Sequence, residues 1–167
     1  MIMKPSEKVI FISKWIKNYV DSMPSKAQSL VIGISGGIDS SVSSTLCAMT
    51  GLKTIVLSMT IKQKSTQHDL SVRHQDWLIK NFKNVEAHLV NLDELFKTFE
   101  GSLSKFNNDN GMANSRARLR MVTLYQAASA NKGIVVGTGN KVEDFGVGFY
   151  TKYGDGGVDI SPIADCN

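Results

Sequence analysis

The sequence predicts an α/β fold, a doubly wound parallel sheet with helices on both faces. Three observations carry this. Short apolar runs of strand length recur at residues 29–34, 53–59, 85–90 and 133–137. Longer segments with helical spacing lie between them, and strands alternating with helices imply right-handed crossovers and a parallel sheet. The first run is apolar almost throughout, as a strand covered on both faces must be.

The elements follow in order. Residues 6–22 are expected to form an amphipathic helix, because Val9, Ile12, Ile16, Tyr19 and Val20 recur at spacings of three and four. Ser6 is its expected N-cap, and Met23-Pro24-Ser25 breaks it. After the strand at 29–34, residues 39–50 show helical spacing at Ile38, Val42, Leu46 and Met49, with Gly51 as the stop. The second strand, 53–59, leads to a helix over 67–82 with Leu70, Trp77 and Leu78 expected in the core. A third strand over 85–90 precedes a short helix over 92–99, in which Asp93 and Glu94 mark the start. The Asn-rich stretch 101–111 reads as a loop, 113–130 as a strong helix and 133–137 as the fourth strand. Residues 146–157 are rich in Gly without a regular pattern and read as a substrate loop. No internal repeat is present, and residues 1–167 are expected to form one domain.

Composition narrows the classes. The 167 residues can bury a real core, and 42% hydrophobic with 20% charged residues is the balance of a globular protein. No apolar run approaches the roughly 18 residues of a membrane span, and Lys4, Glu7, Lys8 and Lys14 interrupt the N-terminus where a signal peptide would be apolar. Cys47 and Cys166 are far apart and lack metal-ligand spacing, which suits a reducing cytoplasm. The net charge of +4 is spread over scattered lysines without a dense basic run, so nucleic acid is not the expected partner. A small anionic substrate fits the mild excess equally well.

The chemistry-bearing stretch is Leu30-Val31-Ile32-Gly33-Ile34-Ser35-Gly36-Gly37-Ile38-Asp39-Ser40-Ser41. A strand ends, a Ser-Gly-Gly turn follows and a helix begins, at the place where doubly wound sheets bind ligands. Glycines let backbone N–H groups approach a phosphate, and a helix N-terminus adds unsatisfied donors and a favourable dipole. Ser35, Ser40 and Ser41 offer hydroxyls, while Asp39 makes sense beside phosphate with Mg²⁺ between them. No Lys lies in the loop, so it is not a Walker loop. The bland reading, a strand–helix turn in which Asp39 and Ser40 are mere caps, would suit a lone Gly-Gly better than the full Ser-Gly-Gly-x-Asp-Ser string.

That string resembles the pyrophosphate-binding loop of the ATP pyrophosphatase (PP-loop) superfamily. The resemblance implies an adenine nucleotide alpha hydrolase-like, Rossmann-like fold and cleavage of ATP between its α and β phosphates. Two later stretches narrow it: Ser115-Arg116-Ala117-Arg118-Leu119-Arg120-Met121, and Gly137-Thr138-Gly139-Asn140-Lys141-Val142-Glu143 followed by GFYTKYGDGGVDISP from Gly148 to Pro162. Together they resemble the ammonia-dependent NAD⁺ synthetase family from about Val31 onward. The resemblance implies ATP-dependent amidation of deamido-NAD⁺ by ammonia through an adenylate, giving NAD⁺, AMP and pyrophosphate, in a homodimer. It implies that Gly33, Ile34, Ser35, Gly36, Gly37, Ile38, Asp39, Ser40 and Thr138 bind ATP. It assigns Asp39 and Glu143 to Mg²⁺, and Arg118, Lys152 and Asp159 to deamido-NAD⁺. No covalent nucleophile is expected, since positioning and charge neutralisation do the work.

Taken without the resemblance, Glu143 reads as a surface residue, Tyr150 and Tyr153 as packing, and His68, His74 and His88 as surface or core. Arg116, Arg118 and Arg120 fan around a helix, so at most one or two can reach a site. The sequence departs from the family in two places. Many members carry an Arg after the second strand, where Leu57-Ser58-Met59-Thr60 has none; Lys62, Lys64 or Gln67 are the available substitutes. One extra residue lies between Glu143 and Gly148. The family also continues beyond Asn167 into an ATP-binding Lys and a helical region, so a C-terminally incomplete chain is expected. The 28 residues ahead of the first strand leave no room for a glutamine-hydrolysing domain, hence ammonia as nitrogen source. Two alternatives stand: another PP-loop adenylating enzyme, such as a tRNA-modifying or amidotransferase synthetase, and a non-catalytic nucleotide-binding module. The N-terminal helix and the 113–130 helix are the candidate dimer contacts.

Overall fold

The computed structural model describes residues 3–62 and 65–167. Helix α1 spans Pro5–Ser22 and β1 Ser29–Gly33, followed by α2 (Ile38–Met49), β2 (Lys53–Thr60), α3 (Ser65–Asn81), β3 (Val85–Asn91) and α4 (Asp93–Ser102). A 3₁₀ turn at Ser104–Phe106 leads to α5 (Asp109–Ala130), β4 (Gly133–Val136) and a π turn at Val142–Val147. The strands form one parallel sheet of order β3-β2-β1-β4. Ile160 returns to pair with Val136 beyond the end of β4.

Alternation along the central strands divides the core. Leu30, Ile32, Val56, Ile134 and Val136 face one side and pack with Ile16 and Val20 of α1, Leu46 and Cys47 of α2 and Leu78 of α3. Val31, Ile55, Leu57, Met59 and Val135 face the other side, against Phe96 of α4 and Met112, Met121, Leu124 and Ala128 of α5. Each fully buried aliphatic side chain here contributes roughly 1.5–3 kcal/mol of transfer free energy. The chain thus runs outward from β1 through α2 to β2 and β3 on one side, then crosses back through α4 and α5 to add β4 on the other side of β1. That places the direction switch beside β1, at whose carboxyl end the Ser-Gly-Gly stretch lies.

Several expectations shift on detail. The cap of α1 is Lys4 rather than Ser6, because Pro5 supplies the pre-set first helical turn; the Lys4 N–H donates to the Glu7 carboxylate at 2.9 Å. Tyr19 is exposed and packs with Trp15 instead of entering the core. On α2 the expected apolar face is reversed. Ser40, Ser43, Ser44, Cys47 and Ala48 face the sheet with Leu46, while Ile38, Val42 and Met49 are exposed. On α3, Leu70 and Trp77 are exposed, and Ser71, Gln75 and Leu78 are buried. The stretch 101–111 is not one loop: α4 runs to Ser102, and α5 begins at Asp109 because the Asn108 side chain accepts the Gly111 N–H at 2.7 Å. Gly51, with φ +75°, ends α2 as expected.

Candidate functional site

The loop after β1 is shaped by its own serines. The Ile34 N–H continues the sheet to the Leu57 carbonyl at 2.8 Å. Gly36 then turns with φ +88°, a conformation that favours glycine. The Ser35 N–H donates to Ser40 Oγ at 3.2 Å, the Gly37 N–H to Ser35 Oγ at 3.2 Å, and Ser40 Oγ and Ser41 Oγ both donate to the Gly37 carbonyl, at 3.0 and 2.9 Å. Ser40 is buried, so its hydroxyl holds the loop shut against α2. What remains is backbone: the N–H groups of Gly36, Ile38, Asp39 and Ser40 have no acceptor among the described residues. Four unengaged donors at the start of a helix are an arrangement suited to an anion.

The loop forms one wall of a cavity of about 740 Å³. Gly33, Ile34, Ser35, Gly36, Gly37 and Ser40 line it, with Met59 and Lys62 from the end of β2 and beyond, Ala117, Arg120, Met121 and Leu124 from α5, and Gly137, Thr138, Asp155 and Val158 from the C-terminal segment. Gly137 permits this last approach: a Cβ there would lie 2.6 Å from Val158 Cγ2. Ile38 and Asp39 stand on the first turn of α2 outside this wall, with Ile38 exposed and Asp39 half-buried.

Glu143 is exposed on the π turn, whose start is held by Asn140: its Oδ1 accepts the N–H groups of Val142 and Glu143 at 2.9 and 3.0 Å. The carboxylates of Asp39 and Glu143 have no hydrogen-bond or ionic partner among the described residues. No group of three or more His, Cys, Asp or Glu residues is gathered among the described residues in a way that would hold a metal.

Arg118 and Lys152 lie together outside this wall, and Asp159 is held separately by Tyr125 and Val135. Arg118 Nε donates to the Lys152 carbonyl at 3.0 Å, and Lys152 Nζ sits 5.1 Å from the centre of the Tyr153 ring. Asp159 accepts the Tyr125 hydroxyl at 3.0 Å and the Val135 N–H at 2.7 Å. Burial, then the bond to Asp159, pushes the Tyr125 phenol up to about 12, so it remains a donor. Tyr125 and Tyr153 line a second, shallower groove of about 440 Å³ with Met121, Val122, Gln126, Ser129 and Gly157. Met121 belongs to both walls, so α5 separates the cavity beside the loop from this second groove.

The three arginines do fan apart: Arg116 covers the Phe96 ring at 5.7 Å, Arg118 reaches Lys152, and Arg120 enters the cavity. Sequence reasoning weighed Arg120 only as one of three fanned arginines and gave it no site role, and it passed over Asp155. Arg120 could have been found from the fan itself, since a residue two positions from Arg118 must face another way. Asp155 carried no such signal; it accepts the Thr151 N–H at 2.8 Å, and its charge adds to burial in raising the Asp144 carboxyl. Of the substitutes expected for the missing Arg, Lys62 lines the cavity; Lys64 and the Gln67 side chain lie outside the described residues.

The fold and the loop define a doubly wound α/β protein with a Gly-rich strand–loop–helix of unengaged backbone donors at its switch point. Comparison with known proteins makes this specific. The family model for NAD synthase matches residues 9–167, and the chain belongs to the NAD synthase family. It is 37% identical over 155 residues to the NH₃-dependent NAD⁺ synthetase of Saccharolobus solfataricus, covering 93% of this chain and 54% of that protein. It is 39% identical over 137 residues to that of Thermoplasma volcanium, covering 80% and 53%. The chain therefore spans about half the length of these relatives. Among solved structures it resembles NMN synthetase from Francisella tularensis (TM-score 0.89, 31% identity, 98% of this chain and 66% of that one). It also resembles the NH₃-dependent NAD synthetase from Campylobacter jejuni in complex with nitrate (TM-score 0.87, 27% identity, 99% and 69%). The PP-loop, Rossmann-like fold expected from the sequence is the one these structures share.

Proposed function

We propose that this chain carries the ATP site and part of the acceptor site of an ammonia-dependent NAD⁺ synthetase. The observation that carries the reading is the set of four unengaged N–H groups at Gly36, Ile38, Asp39 and Ser40, at the mouth of a nucleotide-sized cavity. These donors would hold the two outer phosphates of ATP. The carboxylate of deamido-NAD⁺ attacks the α-phosphate, the bond to the β-phosphate breaks, and pyrophosphate leaves into the loop. Ammonia then attacks the adenylated carbonyl, giving the amide of NAD⁺ and releasing AMP. Stabilising charge on the departing pyrophosphate with pre-set donors is the main contribution required of the protein.

Asp39 and Glu143 would hold Mg²⁺; two unengaged carboxylates are the hard oxygen donors that this ion takes. When bound, the ion neutralises phosphate charge. Thr138 on the cavity wall would contact ATP, and Arg118, Lys152 and Asp159 beside the second groove would take deamido-NAD⁺. The pairing of a groove lined by Tyr125 and Tyr153 with the cavity across Met121 supports this division. A homodimer joined through α1 and α5 is part of the proposal. Phe11 and Trp15 on α1 and Val122 on α5 are exposed at 57%, 40% and 66%, which supports apolar contact there. Among the described residues no helix is long and apolar enough to cross a membrane, and a cytoplasmic location is the proposed setting.

The test is formation of NAD⁺ from deamido-NAD⁺, ATP and ammonium, run beside the corresponding nicotinate mononucleotide because one structural relative bears the name NMN synthetase. Deamido-NAD⁺ is expected to be amidated and Asp39→Asn to lose most of the rate. Amidation of the mononucleotide alone would move the reading to that substrate. Turnover of ATP stimulated by tRNA and not by either nucleotide would replace it with a tRNA-modifying one.

A further inference from the structure

Arg120 leaves α5 toward the carboxyl end of β2, where its Nε–H donates to the Met59 carbonyl at 3.2 Å. A guanidinium has five N–H donors. At Arg120 only the Nε–H has an acceptor among the described residues, and no carboxylate there lies within ion-pair distance. The residue is more than half enclosed, and burial first, then the neighbouring Arg116 charge, pulls its pKa below the usual guanidinium value; Asp93 opposes this weakly. The group keeps its proton nonetheless. Lys62, the other cation on this wall, is already neutralised: its Nζ lies 2.6 and 2.9 Å from the Glu100 carboxylate oxygens. The cavity therefore holds a partly desolvated cation that has a cationic neighbour and, among the described residues, no carboxylate within ion-pair distance, Asp93 acting on it only from farther away. Such an arrangement is costly until an anion completes it.

We propose that Arg120 is an anion-binding residue of this cavity, its two Nη groups taking a phosphate of the bound nucleotide from the α5 wall while the N–H groups after β1 take phosphate from the other side. This rests on the nucleotide reading of the cavity. The bond to Met59 fixes the guanidinium at the end of β2, so the free edge is pre-ordered for a two-pronged contact with phosphate oxygens.

The experiment is calorimetric titration of the 167-residue chain and its Arg120→Gln and Arg120→Lys variants with inorganic pyrophosphate and, separately, with MgATP. Arg120→Gln is expected to weaken both by about tenfold to a hundredfold, the scale of a charge-assisted hydrogen bond. Arg120→Lys, with its charge but no fork, is expected to fall between. Unchanged affinity of the Gln variant for both ligands overturns the assignment and leaves the nucleotide reading standing. If the Gln variant does not fold, a Lys variant that binds as tightly as the parent overturns it in the same way. A parent chain that binds pyrophosphate but not ATP contradicts the nucleotide reading, while the pyrophosphate titrations still decide Arg120. A parent that binds neither overturns both.

Discussion

Cys47 is fully buried on the sheet side of α2, and burial pushes its thiol up to about 12. A thiol held that far above neutrality is not a nucleophile. Cys166 is partly exposed, and both cysteines are free. Titration of the folded protein at neutral pH with a colorimetric thiol reagent should therefore report one fast thiol, with the second appearing only in denaturant. Two fast thiols would contradict the packing of α2. The same face explains what was and was not legible at this scale. Ser35, Gly36 and Gly37 were readable because their residue types have few other uses after a strand. The inward turn of Ser40, Ser43, Ser44 and Cys47 was not, since hydrophobic spacing pointed to Ile38, Val42 and Met49. A helix drawn close over the end of a strand needs small side chains on its inner face, and Ser44 settles its hydroxyl on the Ser40 carbonyl at 2.7 Å.

Between elements, His74 joins α3 to α2. Its Nε2 lies 2.9 Å from Ser44 Oγ, its ring stacks on Trp77 at 5.7 Å, and it also hydrogen-bonds the Ser41 backbone. Burial lowers its pKa below the ordinary 6.5, and the Ser41 bond opposes this only in part. The sign follows: the unfolded chain binds this proton more readily, so the stability tied to neutral His74 is present above pH 6.5 and is lost as the pH falls from there toward the folded-state value. The melting temperature should drop on acidification from about pH 7.5 to about 5.5, the range in which histidine titrates. His74→Asn should flatten that drop, whatever its effect on the starting value. Equal pH dependence in both proteins would contradict a neutral, half-buried His74. β1, β2 and β4 were legible to within a residue or two because buried parallel strands are almost uniformly apolar, whereas the edge strand β3 is exposed or half-buried along its length. The edges of α4 and α5 were not, since the Asn108 cap is written in the same polar residues that fill a loop. Leu70 and Trp77 misled for a related reason: Gln75 takes the interior place by donating to the Val56 and His88 carbonyls at 3.3 and 3.0 Å.

For the whole molecule, topology places the loop after β1. With β2 added on one side of β1 and β4 on the other, a crevice opens at the carboxyl end of β1, and the chain fills it with a helix start whose donors are unengaged among the described residues. The loop was legible in the sequence because its residues are contiguous. The cavity's opposite wall was not, because Arg120 and Asp155 reach it from segments far away along the chain. Arg118, Lys152 and Asp159 stand between these cases. Family resemblance named them, and in the structure Arg118 bonds the Lys152 carbonyl while Asp159 bonds the Tyr125 hydroxyl. The central claim is that this cavity splits ATP between its α and β phosphates on behalf of an acceptor carboxylate. The measurement that tests it most directly is product analysis of MgATP turnover with ammonium, in the presence and absence of deamido-NAD⁺. Pyrophosphate and AMP are expected, formed only when deamido-NAD⁺ is present. ADP and orthophosphate, or pyrophosphate release indifferent to deamido-NAD⁺, would contradict the claim.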